Sequence, residues 1–426
     1  MKNGSLTRLL IAKILEKIKT SNIGLDVCFD EYFKQHRLTK PDKNLIYNVV
    51  MSTIRHINIL DQIFIHYSNK KIFKKDLSYY LIISAITQIC FLNFKSYAVI
   101  NSTCDAYKKN KKKSVDFING LLRNIDRNKN LIVKKNWNKS LHPGWFKKNI
   151  KNLSSNKKKA FYKSIMKQPT IHIQFKNSND IMFIKNKKIM TSKNSLTLKE
   201  NIDIKNLPGY REGKWWVQDY AATLPVKLMG NVKNKNVLDM CAAPGGKTFQ
   251  LLNLKAEVTA YDISTKRIEI MKINLKRLNY NMDIINENVL NITNKNKYDF
   301  ILIDAPCSAI GTIKRNPEIL FRNRQPNLKL LNELQYNLLL KAADLIKNNG
   351  KIIYTVCSIF DIEGKKQIEE FLKKNKNFYI DQINSSEINN IKSLITKRGF
   401  IKTYPYSLPN IGGIDGFFIA RIYKKL

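Results

Sequence analysis

Apolar residues recur at three and four spacing from Leu6 to about Asn130, as in Leu9-Leu10-Ala12-Ile14-Leu15-Ile18 and Leu45-Ile46-Val49-Val50-Ile54. Thr39-Lys40-Pro41-Asp42 supplies a cap with proline in the first turn of a helix. An all-helical domain is predicted over 1–135. The helical period weakens between about Lys134 and Lys235, where Ile171-His172-Ile173-Gln174-Phe175 alternates and Leu207-Pro208-Gly209-Tyr210 reads as a turn. A small mixed α+β connecting domain is therefore predicted over 136–235. From 236 to 426 the texture changes to short β-rich runs, Val237–Met240, Val258–Tyr261, Phe300–Ile303 and Ile352–Val356, separated by helices at Thr265–Leu278 and Leu328–Lys347. Alternation of this kind predicts a parallel sheet covered on both faces, with Gly416–Ile422 as a late closing strand. No internal repeat is visible.

Length and composition support this partition. A chain of 426 residues, 43% hydrophobic, is long enough for two or three domains with their own cores. No run of eighteen apolar residues occurs, and Met1 to Leu15 lacks the apolar core and cleavage site of a secretory leader, so a soluble, unexported protein is expected. The six cysteines form no CxxC pair and only five histidines are present, which points away from a disulfide framework or a metal site and toward a reducing cytoplasm. A monomer is the simplest assembly.

The net charge of +42 makes nucleic acid the leading partner, because phosphate backbones bind such surfaces through counterion release. Lysine accounts for 62 of the 75 basic residues, with abundant Asn and Ile beside it, a bias that A/T-rich codons also produce. Arginine's two-pronged fork is the commoner specific phosphate ligand, so charge alone supports RNA or DNA only in part. The run Lys108-Lys109-Asn110-Lys111-Lys112-Lys113 reads as a solvated helix face or loop, with an RNA-facing patch as the alternative.

Candidate chemistry gathers at the strand ends of the last domain. The run Val237–Met240 leads into Cys241-Ala242-Ala243-Pro244-Gly245-Gly246-Lys247-Thr248 and then a helix, the turn at which open parallel sheets bring a cofactor closest to the backbone. Asp262, at the end of the next strand, stands where an acidic side chain accepts hydrogen bonds from ribose hydroxyls. Singly, the two glycines also suit a plain tight turn and Asp262 a helix cap; together they favour a nucleoside cofactor. A dinucleotide GxGxxG is absent. A P-loop would need its first glycine at Cys241, and Pro244 removes an amide that would cradle phosphate, so an ATPase using Asp304 for magnesium fits poorly.

Two cysteines lie at the carboxyl ends of adjacent strands, in Asp304-Ala305-Pro306-Cys307-Ser308 and Thr355-Val356-Cys357-Ser358, and both thiols are expected to face the cofactor crevice. Cys28, Cys90, Cys104 and Cys241 read as packing residues. Carbon 5 of cytosine is too electron-poor to attack a methyl sulfonium until a thiolate adds to carbon 6. Afterwards the carbon 5 proton must leave, which needs a base or relay. No histidine follows His172, leaving Asp304, Lys247 and a second cysteine, and removing histidine-dependent hydrolase chemistry from this domain. Spacing does not rank Cys357 above Cys307. Arg315, Arg322 and Arg324 are candidate RNA phosphate ligands. A non-catalytic RNA-binding assembly factor on the same fold is a third reading beside thiol-assisted base modification and the ATPase.

These blocks resemble the RNA cytosine-C5 methyltransferases: Val237 to Thr248, Asp304-Ala305-Pro306-Cys307-Ser308-Ala309 and Thr355-Val356-Cys357-Ser358, with Val217-Gln218-Asp219 upstream and Gly413-Ile414-Asp415-Gly416-Phe417-Phe418 near the end. Ile118-Asn119-Gly120-Leu121-Leu122-Arg123 and His142-Pro143-Gly144-Trp145 are similar to the NusB-like RNA-binding domain of the bacterial RsmB type, which acts on 16S ribosomal RNA. The resemblance implies a Rossmann-like methyltransferase sheet behind a NusB-like domain and S-adenosyl-L-methionine as cofactor. It implies that Cys241, Ala242, Ala243, Pro244, Gly245, Gly246, Lys247, Asp262, Asn288 and Asp304 hold the cofactor. Cys357 would attack carbon 6, Cys307 would assist product release, Asp304 would border both pockets and Lys247 would reach the base. The family carries Asp at the position of Asn288, where it meets the adenine amino group; Asn keeps a carbonyl acceptor, implying at most weaker cofactor binding.

Overall fold

The computed structural model describes residues 3–21, 23–68, 76–111, 115–137, 142–185, 188–198, 202–293, 297–323 and 325–425. Its contacts divide the chain into two compact units, one of residues 1–166 with 316–325, the other of residues 167–315 with 326–426.

The first unit is helical. Asn3–Thr20, Lys40–Ser68, Leu77–Cys90, Ser96–Lys111 and Asp116–Arg127 are its longer helices. Thr39 opens the second of these reciprocally, its hydroxyl 3.3 Å from the Asp42 amide while the Asp42 carboxylate accepts from Thr39 N–H at 3.3 Å. At the centre lies Leu77–Cys90, in which every residue from Tyr79 to Cys90 is buried. Such a helix is apolar all round because neighbours surround it. Asp116–Arg127 instead buries one face, Ile118, Leu121, Leu122 and Ile125. Lys108 and Lys109 are exposed on Ser96–Lys111, whereas Lys112 and Lys113 lie outside the described residues.

The expected connecting stretch 136–235 is shared between the units. Helices Gly144–Asn149 and Ser155–Ile165 group with the helical unit, whose core Met166 touches. Residues 167–235 group with the second unit and contain a four-stranded antiparallel sheet, β1 Ile171–Phe175, β2 Lys188–Ser192, β3 Ser195–Leu198 and β4 Trp215–Val217, in the order β2-β3-β1-β4. Ile173, Phe175, Leu196, Leu198 and Trp215 make its core. Arg277 fastens this sheet to the larger one by donating to the carbonyls of Tyr210 and Trp215 at 2.8 and 3.0 Å.

The larger sheet contains β5 Asn236–Asp239, β6 Glu257–Tyr261, β7 Ile284–Ile285, β8 Tyr298–Asp304, β9 Ile346–Val356, β10 Phe378–Ile380, β11 Ile401–Lys402 and β12 Phe418–Lys424. Its order is β10-β12-β9-β8-β5-β6-β7, with β11 beside β12. The β5–β6, β6–β7, β5–β8 and β8–β9 pairs are parallel, and β12 runs antiparallel to β9, β10 and β11. Successive strands step outward from β5 through β6 to β7, then the chain returns to place β8 on the other side of β5. Strand order thus reverses between β5 and β8, where ligands of open sheets bind.

Side-chain alternation explains the two covered faces. Leu238, Ile301, Ile303, Ile352, Tyr354 and Val356 pack under helices Leu328–Leu345 and Lys365–Lys374, while Val237, Leu302 and Ile353 pack with helix Tyr220–Lys227. Each such side chain contributes about 1.5–3 kcal/mol when removed from water. β9 is longer than its apolar run suggests, because Lys347-Asn348-Asn349-Gly350 passes through a register shift against β8 with Asn349 at φ 61°.

Candidate active site

The glycine turn follows β5 and leads into helix Gly246–Asn253. Gly245 holds φ 109°, and a Cβ there would stand 2.4 Å from the Phe249 ring, so only glycine fits without movement. Ala242 N–H donates to the Tyr261 carbonyl at 2.9 Å, binding the turn to the end of β6. Asp262 is buried just beyond β6 and accepts from Ala243 N–H (3.1 Å), Ser264 N–H (2.8 Å) and Arg267 (3.0 Å). Each carboxylate oxygen has two lone pairs, so these contacts leave acceptor capacity for a ribose hydroxyl. Beneath the turn, Asp239 accepts from the Thr248 hydroxyl at 2.7 Å, while its other oxygen is buried without a partner among the described residues. Burial pushes this carboxyl up to about 7, Thr248 opposing and Asp304 assisting.

Cys241 packs against the apolar core below the sheet, and burial drives its thiol far above the ordinary range. Asn288 is exposed and uses its side-chain oxygen to accept from Leu290 N–H at 3.1 Å, capping the short turn Val289–Asn291. The donor set of the turn, Asp262 and Asn288 fits a nucleoside: a glycine bend for close backbone approach, a carboxylate for hydroxyls and an amide oxygen.

Lys247, almost wholly buried, donates to Asp304 at 2.7 Å and lies 5.4 Å from the centre of the Phe417 ring. Asp304 is opposite Thr355 in the β8–β9 register, and Phe418 is opposite Val356. Asp304 lies three residues before Cys307 and its register partner Thr355 two before Cys357, so the Lys247–Asp304 pair stands at the base of both cysteine loops. Cys307 and Cys357 are half-buried, with their sulfurs 3.3 Å apart. The hydrogen bond to Cys357, burial, and the charges of Cys357 and Glu363 hold the Cys307 thiol well above its usual range. The segment after Cys307 folds back so that Gly311 N–H donates to the Cys357 carbonyl at 3.0 Å and Gly416 N–H donates to the Gly311 carbonyl at 2.9 Å. A Cβ on Gly311 would lie 1.8 Å from the Gly416 oxygen, which makes that packing possible only for glycine.

A second polar cluster adjoins these loops. Arg315 pairs with buried Asp415, and Asp219 accepts from Asp415 N–H at 3.0 Å and from Ala221 N–H at 2.9 Å. Burial pushes Asp415 up to about 6, with Asp219 adding to it and Arg315 opposing. Burial likewise lowers His172 to about 4. Arg315, a candidate phosphate ligand by sequence, is exposed and uses part of its guanidinium to hold the buried Asp415. Arg322 lies 3.5 Å from Glu318 in the helical unit, and Arg324 falls outside the described residues.

Sequence reasoning missed Glu363, whose buried carboxylate accepts from both Ser308 and Ser358. A lone glutamate five residues after Ser358 carries no spacing signature; its only signal is an acid placed among apolar residues in Ile359-Phe360-Asp361-Ile362-Glu363. Among the described residues no group of three or more His, Cys, Asp or Glu could hold a metal, and no helix is long and apolar enough to cross a membrane.

Comparison with known proteins agrees with this architecture. Residues 226–423 match the family described as 16S rRNA methyltransferase RsmB/F, and residues 5–127 match the NusB family. The chain is 27% identical to Ribosomal RNA small subunit methyltransferase B of Photorhabdus laumondii, with 100% of both chains covered. It is 28% identical to the protein of that name from Shewanella oneidensis, covering 98% of this chain and 99% of the other. Among solved structures, PH0851 has a similar fold, with a TM-score of 0.76 at 21% identity over 100% of this chain and 99% of its own. With a glycine turn at the reversal point of its sheet and the two family matches in this order, the chain is an S-adenosylmethionine-dependent rRNA methyltransferase, in which a domain matching the RsmB/F family follows one matching the NusB family.

Proposed function

We propose that the protein methylates carbon 5 of a cytosine in 16S ribosomal RNA through a covalent adduct between carbon 6 and Cys357. The observation that carries this reading is the 3.3 Å approach of Cys307 and Cys357 beside the Lys247–Asp304 pair. A hydrolase or kinase has no use for two thiols in contact at adjacent strand ends, whereas addition to and release from a pyrimidine ring has a use for both.

In this mechanism the Cys357 thiolate adds to carbon 6 and makes carbon 5 nucleophilic. The bound cofactor supplies an electrophilic methyl group, which carbon 5 takes. Cys307, which holds its proton tightly, does not compete as nucleophile; it relays the carbon 5 proton by accepting it as its own thiol proton passes to water. Loss of that proton lets the carbon–sulfur bond break and returns Cys357 as thiolate. Lys247, fixed by Asp304, orients the base, and the turn 241–247 with Asp262 and Asn288 holds the cofactor. The NusB-family domain adds RNA contacts of its own. One copy acting in the cytoplasm suffices for this chemistry.

The test is incubation with labelled S-adenosylmethionine and undermodified small-subunit rRNA, followed by nucleoside analysis. We expect label in 5-methylcytidine at one position. Label in any other nucleoside would overturn the reading.

A further inference from the structure

Ser308 and Ser358 directly follow the two cysteines, and both turn inward to one group. Glu363, between β9 and helix Lys365–Lys374, is fully buried. One of its oxygens accepts from Ser308 N–H at 2.8 Å and from the Gln335 amide at 3.3 Å. Its other oxygen accepts from the Ser308 and Ser358 hydroxyls, each at 2.5 Å. The two hydroxyls are themselves 3.1 Å apart. Gln335 also donates to the Pro306 carbonyl at 2.9 Å, so the same network grips the residue before Cys307 as well as the one after it. From the far side, the Tyr354 hydroxyl donates to the Glu363 carbonyl at 2.6 Å, which pins the glutamate to β9.

A buried carboxylate is costly to desolvate unless hydrogen bonds compensate it. Four donors converging on Glu363 offset that cost, but packing alone does not call for a charge here. We propose that Glu363 is a positioning residue for the two-thiol reaction, fixing through Ser308 and Ser358 the separation of Cys307 and Cys357 and the difference in their reactivity. The inference rests on the two-cysteine mechanism proposed above. It is supported by the surroundings of Cys307: after the hydrogen bond to Cys357, burial and the Cys357 charge, the charge of Glu363 is a further cause that keeps the Cys307 proton in place.

The experiment compares wild type with Glu363→Gln, full-length and free of RNA. Both are treated with limiting iodoacetamide, and the labelling of Cys357 relative to Cys307 is read by peptide mass spectrometry. With the charge removed, that ratio is expected to fall roughly tenfold, the equivalent of one pKa unit at Cys307. In the methylation assay kcat falls while KM for S-adenosylmethionine stays within about twofold, the signature of lost positioning rather than lost binding. A wild-type labelling ratio, or a wild-type kcat, in a folded variant overturns the proposal. Should Glu363→Gln fail to fold, Ser358→Ala removes one tether and leaves the carboxylate three donors; a lowered ratio supports the proposal and an unchanged one refutes it. Labelling needs neither RNA nor cofactor. If wild type makes no 5-methylcytidine while the ratio still shifts, the proposed reaction has failed and Glu363 has not.

Discussion

The loops after β8 and β9 carry the same dipeptide, Cys307-Ser308 and Cys357-Ser358, at equivalent ends of neighbouring parallel strands. Their surroundings make them different. Cys307 follows a proline, borders the core under Leu328–Leu345, and is held in its protonated form by its neighbours. Cys357 borders the core on the side of helix Tyr220–Lys227, its carbonyl taken by Gly311 and with Arg315 near enough to sense its charge. Local sequence therefore supplies two equal thiols, and tertiary contacts give them unequal surroundings.

The largest test of this asymmetry is to delete each thiol in turn. Cys357→Ala should leave incorporation of labelled methyl into rRNA at background. Cys307→Ala should lower turnover by roughly 100-fold, the scale of a lost proton relay, and leave a protein–RNA adduct that survives a denaturing gel. An adduct formed by Cys357→Ala instead would reverse the two assignments.

A smaller loss is expected from Lys247→Met, which would remove the charge-assisted hydrogen bond proposed to orient the base without touching either sulfur. Such bonds contribute about 1.5–3 kcal/mol, so kcat/KM should drop by roughly 10- to 100-fold, with both cysteines still labelled by iodoacetamide as in wild type. Loss of labelling in this variant would mean that Lys247 supports the thiols rather than the base.

The smallest effect concerns stability. Asp239 has its carboxyl raised from 3.8 to about 7 in the folded protein, so between those values the folded state binds more protons than the unfolded one. Stability contributed here is greatest at low pH and declines as pH rises toward 7. Asp239→Asn keeps an acceptor for Thr248 and removes the ionisation, so it should gain on the order of 2 kcal/mol at pH 8 and little at pH 5, by thermal unfolding at the two values. An equal gain at both would show that charge is not the cause.

The parallel sheet was readable because buried strands are continuous apolar runs and amphipathic helices separate them: Val237, Leu302 and Ile353 report their strands without help from distant residues. The cysteines and the glycine turn were readable for the same reason, since strand ends fix where they lie. What sequence could not supply is pairing over long separations. Arg315 carries no sign in its own segment of Asp415, one hundred residues on, which it holds while staying exposed. Glu363 looked like one acid among many until two serines fifty residues apart met on it. The stretch 136–235 looked like a unit because its periodicity was weak throughout, while its contacts divide it at Met166 between the two compact units.

One consequence concerns synthesis. β9 ends at the residue before Cys357, and its outer edge is covered by β12, made more than sixty residues later. Until Phe418–Lys424 have been translated, β9 presents an open, apolar strand edge of the kind that recruits other chains. Messages cut short before that point would yield polypeptides that already contain every proposed catalytic side chain, yet are prone to aggregate and fit for degradation.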